Sequence, residues 1–247
     1  ESNRNRKGHG MSYFIFNGKS SEDLGLIVKK PIIRPTWSEN YAEKALTGAL
    51  RKIMQKSEYY ENSSMTIESY VHEASPEKMR EIYSALKGTG KLWISTAPDE
   101  VLDVIINPLV PQAVAILAAD VPINVVCRPF AYALNLTTAD LSGATDYTEL
   151  ENKGTLFSAP EIKFTPTESE ITIDTNGSEF TVSGLTAGTE YIIDSELQVV
   201  YYVKNGSNMD ITAKSKYGFP LLHVGKNYIK HGGKASAMTV NVRERWL

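Results

Sequence analysis

The run from Ile171 to Val182 leaves this chain few options. Ile171-Thr172-Ile173-Asp174 alternates apolar and polar residues, Asn176-Gly177 follows, and Phe180-Thr181-Val182 alternates back. Asparagine and glycine tolerate the positive φ angles that a tight two-residue turn demands, so the run reads as a β-hairpin. Further strand signals follow at short intervals in Tyr191-Ile192-Ile193, Val199 to Val203 and Thr239 to Val242. Between them lie Ala187-Gly188, Asn205-Gly206, Gly225-Lys226-Asn227 and His231-Gly232-Gly233, all turn formers. Short strands punctuated this regularly predict a β-sandwich over 154–247.

The first half has a different texture. Tyr13 to Phe16 running into Asn17-Gly18, then Leu26 to Val28, read as strands, and the prolines of Pro31 to Pro35 confine that extended segment to an edge or a kinked strand. Met65 to Val71, Lys91 to Ser95, Val101 to Asn107 and Val121 to Arg128 are further strands. One helix is expected from Pro76 to about Lys87. Ser75 can cap its first amides, proline loses nothing at the first helical position, and Met79, Ile82, Tyr83 and Leu86 build one apolar face. Gly88 is expected to end it in a left-handed conformation. The segment from Ala42 to Gln55 is ambiguous: Ala45, Leu46, Ala49, Leu50, Ile53 and Met54 fit a helical face, yet Thr47-Gly48 interrupts it. Polar, weakly periodic residues from Asn135 to Lys153 read as a linker between an N-terminal domain, 11–134, and the C-terminal one. Glu1 to Gly10 is read as a leftover of expression ahead of a natural start at Met11. With no apolar leader there, a soluble protein made in a cytoplasm is expected.

The search for chemistry returns little. A formal net charge of −3, with lysines and arginines scattered among acids, does not form the basic stripe of a nucleic-acid binder. The single cysteine, Cys127, allows no internal disulfide and sits in a strand-like run as a small core residue. His72-Glu73 begins like a zinc-protease motif, but Pro76 stands where the second histidine belongs. His223 and His231 flank a turn and read as exposed loop residues. Gly90-Lys91 and Gly225-Lys226 lack the upstream glycine of a phosphate loop, and Leu92 and Asn227 replace its hydroxyl residue. Asp99, Glu100 and Asp103, with Glu168 and Glu170, are candidate carboxylates for glycan hydrolysis, but acids beside strands are usually solvated faces. Trp37, Trp93 and Trp246 are too scattered to predict a sugar platform. No catalytic residue, cofactor or metal site is assigned.

In the order of its fragments the chain resembles the distal tail protein (Dit) family of long-tailed phages infecting Gram-positive hosts, across 11–247. The resemblance is carried by Asn17-Gly18, Asp23-Leu24-Gly25-Leu26, Gly48, Tyr59-Tyr60-Glu61-Asn62, the capped helix, Gly90-Lys91-Leu92-Trp93 and Cys127 to Tyr132. It continues through Gly154-Thr155, Ser158-Ala159-Pro160, Tyr191 to Glu196, Phe219-Pro220-Leu221, Gly225-Lys226-Asn227 and Arg243 to Trp246. It implies a mainly β fold: an α+β N-terminal domain with one helix and a β-hairpin arm, and a C-terminal galectin-like β-sandwich. The arm would cover about 39–60, against the helical propensity there, with Tyr41, Leu46, Leu50, Ile53, Tyr59 and Tyr60 as its candidate contact residues. A hexameric ring at the virion tail tip is implied, joining tail-tube protein to the tail-associated lysin or hub protein. Accessory or receptor-binding baseplate proteins would use the C-terminal domain. DNA is implied only as cargo through the central channel, and no membrane insertion is implied. The alternatives are a galectin-like carbohydrate-binding module recognising cell-wall glycans, or a glycan hydrolase using Asp103 and Glu170.

Overall fold

The computed structural model describes residues 12–37, 41–44, 53–56, 60–107, 112–115, 118–216 and 218–247. Contacts between Cα atoms divide the chain into two compact units, Glu1–Leu134 with Leu247, and Asn135–Trp246. The fold is mainly β, as expected.

In the first unit the strands are β1 (Phe14–Phe16), β2 (Lys19–Ser20), β3 (Leu26–Val28), β4 (Tyr41–Lys44), β5 (Ile53–Lys56) and β6 (Ser63–Val71). Helix α1 (Pro76–Leu86) follows, then β7 (Gly88–Ile94), β8 (Ala97–Ile106), β9 (Gln112–Ala115) and β10 (Ala118–Ala133). One antiparallel sheet runs β2-β1-β7-β8-β10-β6-β3, with β9 also paired to β10. Alternation in β6, β8 and β10 turns Ile67, Leu102, Val104, Val121, Ile123 and Val125 into a core. Met79, Ile82 and Leu86 of α1 join that core, and Ser75 Oγ accepts from Lys78 N at 3.1 Å as the expected cap. The helix stops one residue early, with Lys87 extended, and Gly88 (φ +102°) turns the chain into β7. Of the extended segment expected at an edge or as a kinked strand, Leu26–Val28 is the edge strand β3, while Pro31 to Pro35 forms no strand. Prolines lack the ladder donor, and Ile32 instead drops into the core while its carbonyl accepts from Thr96 Oγ1 at 2.6 Å.

The second unit is a sandwich of two antiparallel sheets. Its strands are β11 (Thr137–Asp140), β12 (Thr148–Asn152), β13 (Glu161–Pro166), β14 (Glu170–Thr175), β15 (Ser178–Ser183) and β16 (Tyr191–Asp194). These are followed by β17 (Val199–Lys204), β18 (Ser207–Asp210), β19 (Ser215–Lys216), β20 (Gly225–Lys230) and β21 (Ala235–Val242). One sheet runs β11-β21-β13-β16-β17-β18 and the other β12-β20-β14-β15-β19. Ile162, Phe164, Ile193 and Val240 of the first share a core with Ile171, Ile173, Phe180 and Ile229 of the second. The predicted hairpin is β14–β15, with Asn176 at φ +55° and Gly177 at φ +85° closing the pair Thr175–Ser178. The expected linker, 135–153, is corrected: β11 pairs with β21 and β12 with β20. Both are edge strands with exposed outer residues, and that polarity mimics a linker.

Candidate functional site

The segment of ambiguous propensity is a ribbon where it is described. β4 and β5 pair antiparallel, Tyr41 with Lys56, Ala42 with Gln55, Glu43 with Met54 and Lys44 with Ile53. The helical reading is therefore wrong at both ends of this segment; cross-strand pairing overrides a weak helical propensity. These two strands form a sheet of their own. Such an isolated ribbon is marginal in water and gains from a surface to lie on. Of the candidate contact residues, Tyr41 is half exposed. Ile53 lies in β5, and Leu46, Leu50 and Tyr59 fall outside the described residues.

Tyr60 marks where the ribbon rejoins the body. Its ring meets Phe130 edge-on, centroids 4.9 Å apart and planes at 68°, and it packs against the first unit's core. Phe130 reaches it from a bulge in β10, where the register against β8 shifts between Cys127 and Ala131. A bulge adds a residue to one strand and re-aims its side chain. The sequence flags Pro129 but gives no sign that Phe130 takes φ +76°.

Three of the five candidate carboxylates are engaged as ion pairs. Arg34 Nη1 contacts Glu100 at 2.6 Å, Lys91 reaches Asp103 at 2.7 Å and Lys234 reaches Glu168 at 3.2 Å. Asp103 and Glu170 lie in different units. Burial pushes the Cys127 thiol up to about 12, which keeps it protonated and unreactive. His223 is exposed, but His231 is not: it is buried and bonded through Nε2 to Leu141 O at 2.9 Å. The loop reading of His231 fails because it closes β20 against the core. The tryptophans share no platform, since Trp37 is buried and Trp93 donates to Pro98 O at 2.9 Å.

A half-buried charge cluster in the second unit escaped the sequence reading. Arg243 donates from Nη1 and Nη2 to Asp194 at 2.8 and 2.9 Å, and from Nη2 to Glu161 at 3.0 Å. Burial alone would push the Asp194 carboxyl up. The guanidinium, together with the amides of Leu197 and Glu196, outweighs it and holds the group below the usual aspartate range. The cluster ties β13, the end of β16 and the segment after β21 together. On the outer face of the other sheet, Tyr147 donates to Asp174 at 2.6 Å beneath Lys230, and Tyr228 and Lys226 both engage Glu149.

No family model matches the sequence, and no curated protein matches it at a significant level. Solved structures do match. The Dit protein of phage SPP1, described as a paradigm of the hub adsorption apparatus in Gram-positive infecting phages, aligns with a TM-score of 0.73 over 96% of this chain and 100% of its own. The fold is shared with a phage distal tail protein. At 14% identity the likeness to SPP1 Dit is one of backbone architecture. The phage P2 baseplate in its activated conformation with calcium gives a TM-score of 0.55 at 7% identity, covering 95% of this chain and 98% of its own. The strontium form gives 0.58 at 10%, with the same coverage. The match to SPP1 Dit takes in both units, so the pairing of an α+β unit with a β-sandwich is common to the two chains.

Proposed function

We propose that this chain is a structural component of the tail tip of a phage of Gram-positive hosts, acting as a distal tail protein. It forms a hexameric ring between the tail-tube protein and the tail-associated lysin or hub protein, and the ring's opening passes DNA. Its second unit, a galectin-like sandwich, is a platform for other baseplate parts. The role is assembly, and no reaction is assigned to it. The observation that carries this reading is the architectural match to SPP1 Dit over essentially the whole of both chains. The β4–β5 ribbon supports it. A ring closes by heterologous contacts, one patch meeting a different patch on the next copy, and a strand pair laid on a neighbour supplies backbone hydrogen bonds there. Light scattering behind a sizing column, with negative-stain images of the peak, tests it. A six-chain mass and ring-shaped particles are expected, alone or with tail-tube protein added. A monomer under both conditions would overturn the ring.

A further inference from the structure

We propose that the open end of the sandwich in the second unit is a binding site for a small phosphate-bearing sugar or polyol. A cavity of about 440 Å³ lies there, between β17, the turn joining β15 to β16, and the short 3-10 turn Thr212–Lys214. That volume suits a small organic ligand. Its walls include Tyr191, Tyr202, Thr186, Thr189, Lys204 and Lys214, and among the described residues no carboxylate lines it.

The site has a fixed floor. Tyr191 is buried, stacks on Phe164 at 5.8 Å, meets Tyr202 edge-on at 5.4 Å, and accepts Thr186 N at 3.0 Å. Alternation continues the inner face of β17 from Val200 to Tyr202 and Lys204, past the end of the covered core. Lys214 is laid over Gly184: a Cβ built there would stand 3.1 Å from both its Cδ and its Nζ. Ser183 Oγ holds the Lys214 carbonyl at 3.2 Å.

The two ammonium groups are what the site offers. Elsewhere in this unit Lys163, Lys226 and Lys234 pair with carboxylates. Among the described residues neither Lys204 nor Lys214 has an ion pair or a side-chain hydrogen bond, and the Tyr202 hydroxyl has no partner either. Two unpaired ammoniums facing a carboxylate-free cavity attract a phosphate. The tyrosine rings present apolar faces to the C–H groups of a sugar or polyol, and the threonine hydroxyls offer it hydrogen bonds. The outer face of the other sheet also shows tyrosines, but Asp174 and Glu149 already engage them and repel an anion.

Calorimetric titration of the full chain with glycerol 3-phosphate, glycerol, inorganic phosphate and poly(glycerol phosphate) tests this. Glycerol 3-phosphate is expected to saturate one site per chain, more tightly than inorganic phosphate, while glycerol gives no heat. The K204Q/K214Q double variant, with an unchanged thermal melt, should bind it at least about tenfold more weakly, the loss of a charge-assisted contact. Tighter binding of the polymer assigns the ligand to a polymeric source, and equal binding to a free small molecule; both support the site. Absence of saturable binding, equal binding by the double variant, or equal affinity for inorganic phosphate would overturn it.

Discussion

Phe130 meets Tyr60 edge-on at 4.9 Å from a backbone conformation, φ +76°, that bulky residues rarely adopt. Holding a non-glycine residue there costs on the order of 1–3 kcal/mol, so the surrounding structure has to enforce it. The enforcement comes from β10, whose flanks pair with β8 on either side of the bulge. The strained residue and the residue at the root of the ribbon are thus one contact, which fixes where the ribbon leaves the body.

Phe130→Ala keeps the strain and loses the ring, so it should lower unfolding free energy by about 1–2 kcal/mol. Phe130→Gly loses the ring but relieves the backbone, recovering about 1 kcal/mol of that. Both should speed proteolysis between Tyr41 and Tyr60 equally, because both remove the anchor. Denaturant titration with timed limited proteolysis separates the effects. Cleavage at the native rate in both variants would show that Phe130 does not hold the ribbon.

The ribbon itself can be removed. Deleting Ala42 to Lys56 should leave the dispersion of both units' spectra intact while reducing the solution mass to that of one chain. The first unit's core draws on Phe14, Phe16, Ile67 and the helix, none of which is in the deleted stretch. Native mass spectrometry reads the result, and an unchanged oligomer would end the assignment of the ribbon to the ring contact.

What the sequence disclosed follows from how locally each feature is encoded. The Asn176-Gly177 hairpin and the Ser75-capped helix are specified within a dozen residues, and both were legible. Edge strands β11 and β12 were not, because half of each faces outward and their polar residues look like a linker. The Arg243 cluster is invisible to local reading, since its acids lie 49 and 82 residues away. The fragments that carried the family resemblance turn out to meet in space. Tyr60 touches Phe130, Asp194 touches Arg243, Lys91 N donates to Asn17 Oδ1 at 3.0 Å, and Thr155 N donates to Arg245 O at 2.9 Å. Contacts, rather than separate motifs, hold that order of fragments together.

The Arg243–Asp194 pair sets a pH dependence. Asp194 has a folded-state value below its unfolded one, so its stabilisation is present above about pH 4 and is lost as pH falls through the folded value. Arg243→Ala leaves Asp194 and Glu161 without their guanidinium, and burial then drives the Asp194 carboxyl up. The variant should lose about 3 kcal/mol at neutral pH. Its deficit should shrink as pH falls and close only below the depressed folded-state value of Asp194, where the carboxyl is protonated in both proteins. Thermal melts across pH 3 to 7 decide the matter. A deficit independent of pH would mean that Arg243 acts by packing alone.

Gly154 makes the tightest backbone approach in the second unit. A Cβ on it would lie 2.5 Å from Arg245 O and 2.8 Å from Arg245 N. Neither atom belongs to a side chain that can swing away, and Thr155 N already donates to that same carbonyl. Gly154 N is meanwhile held by Asn152 Oδ1 at 3.0 Å, and Asn152 Nδ2 donates to the carbonyls of Leu156 and Leu222. Gly154→Ala must therefore push the chain end away or break the Asn152 bonds. An overpacking cost of about 1–3 kcal/mol is expected. Hydrogen exchange should show it as lost protection at Gly154 and Thr155, while the amides of β14 and β15 exchange as before. Unchanged protection at Thr155 in the variant would mean that the chain end is not packed against Gly154 in this way.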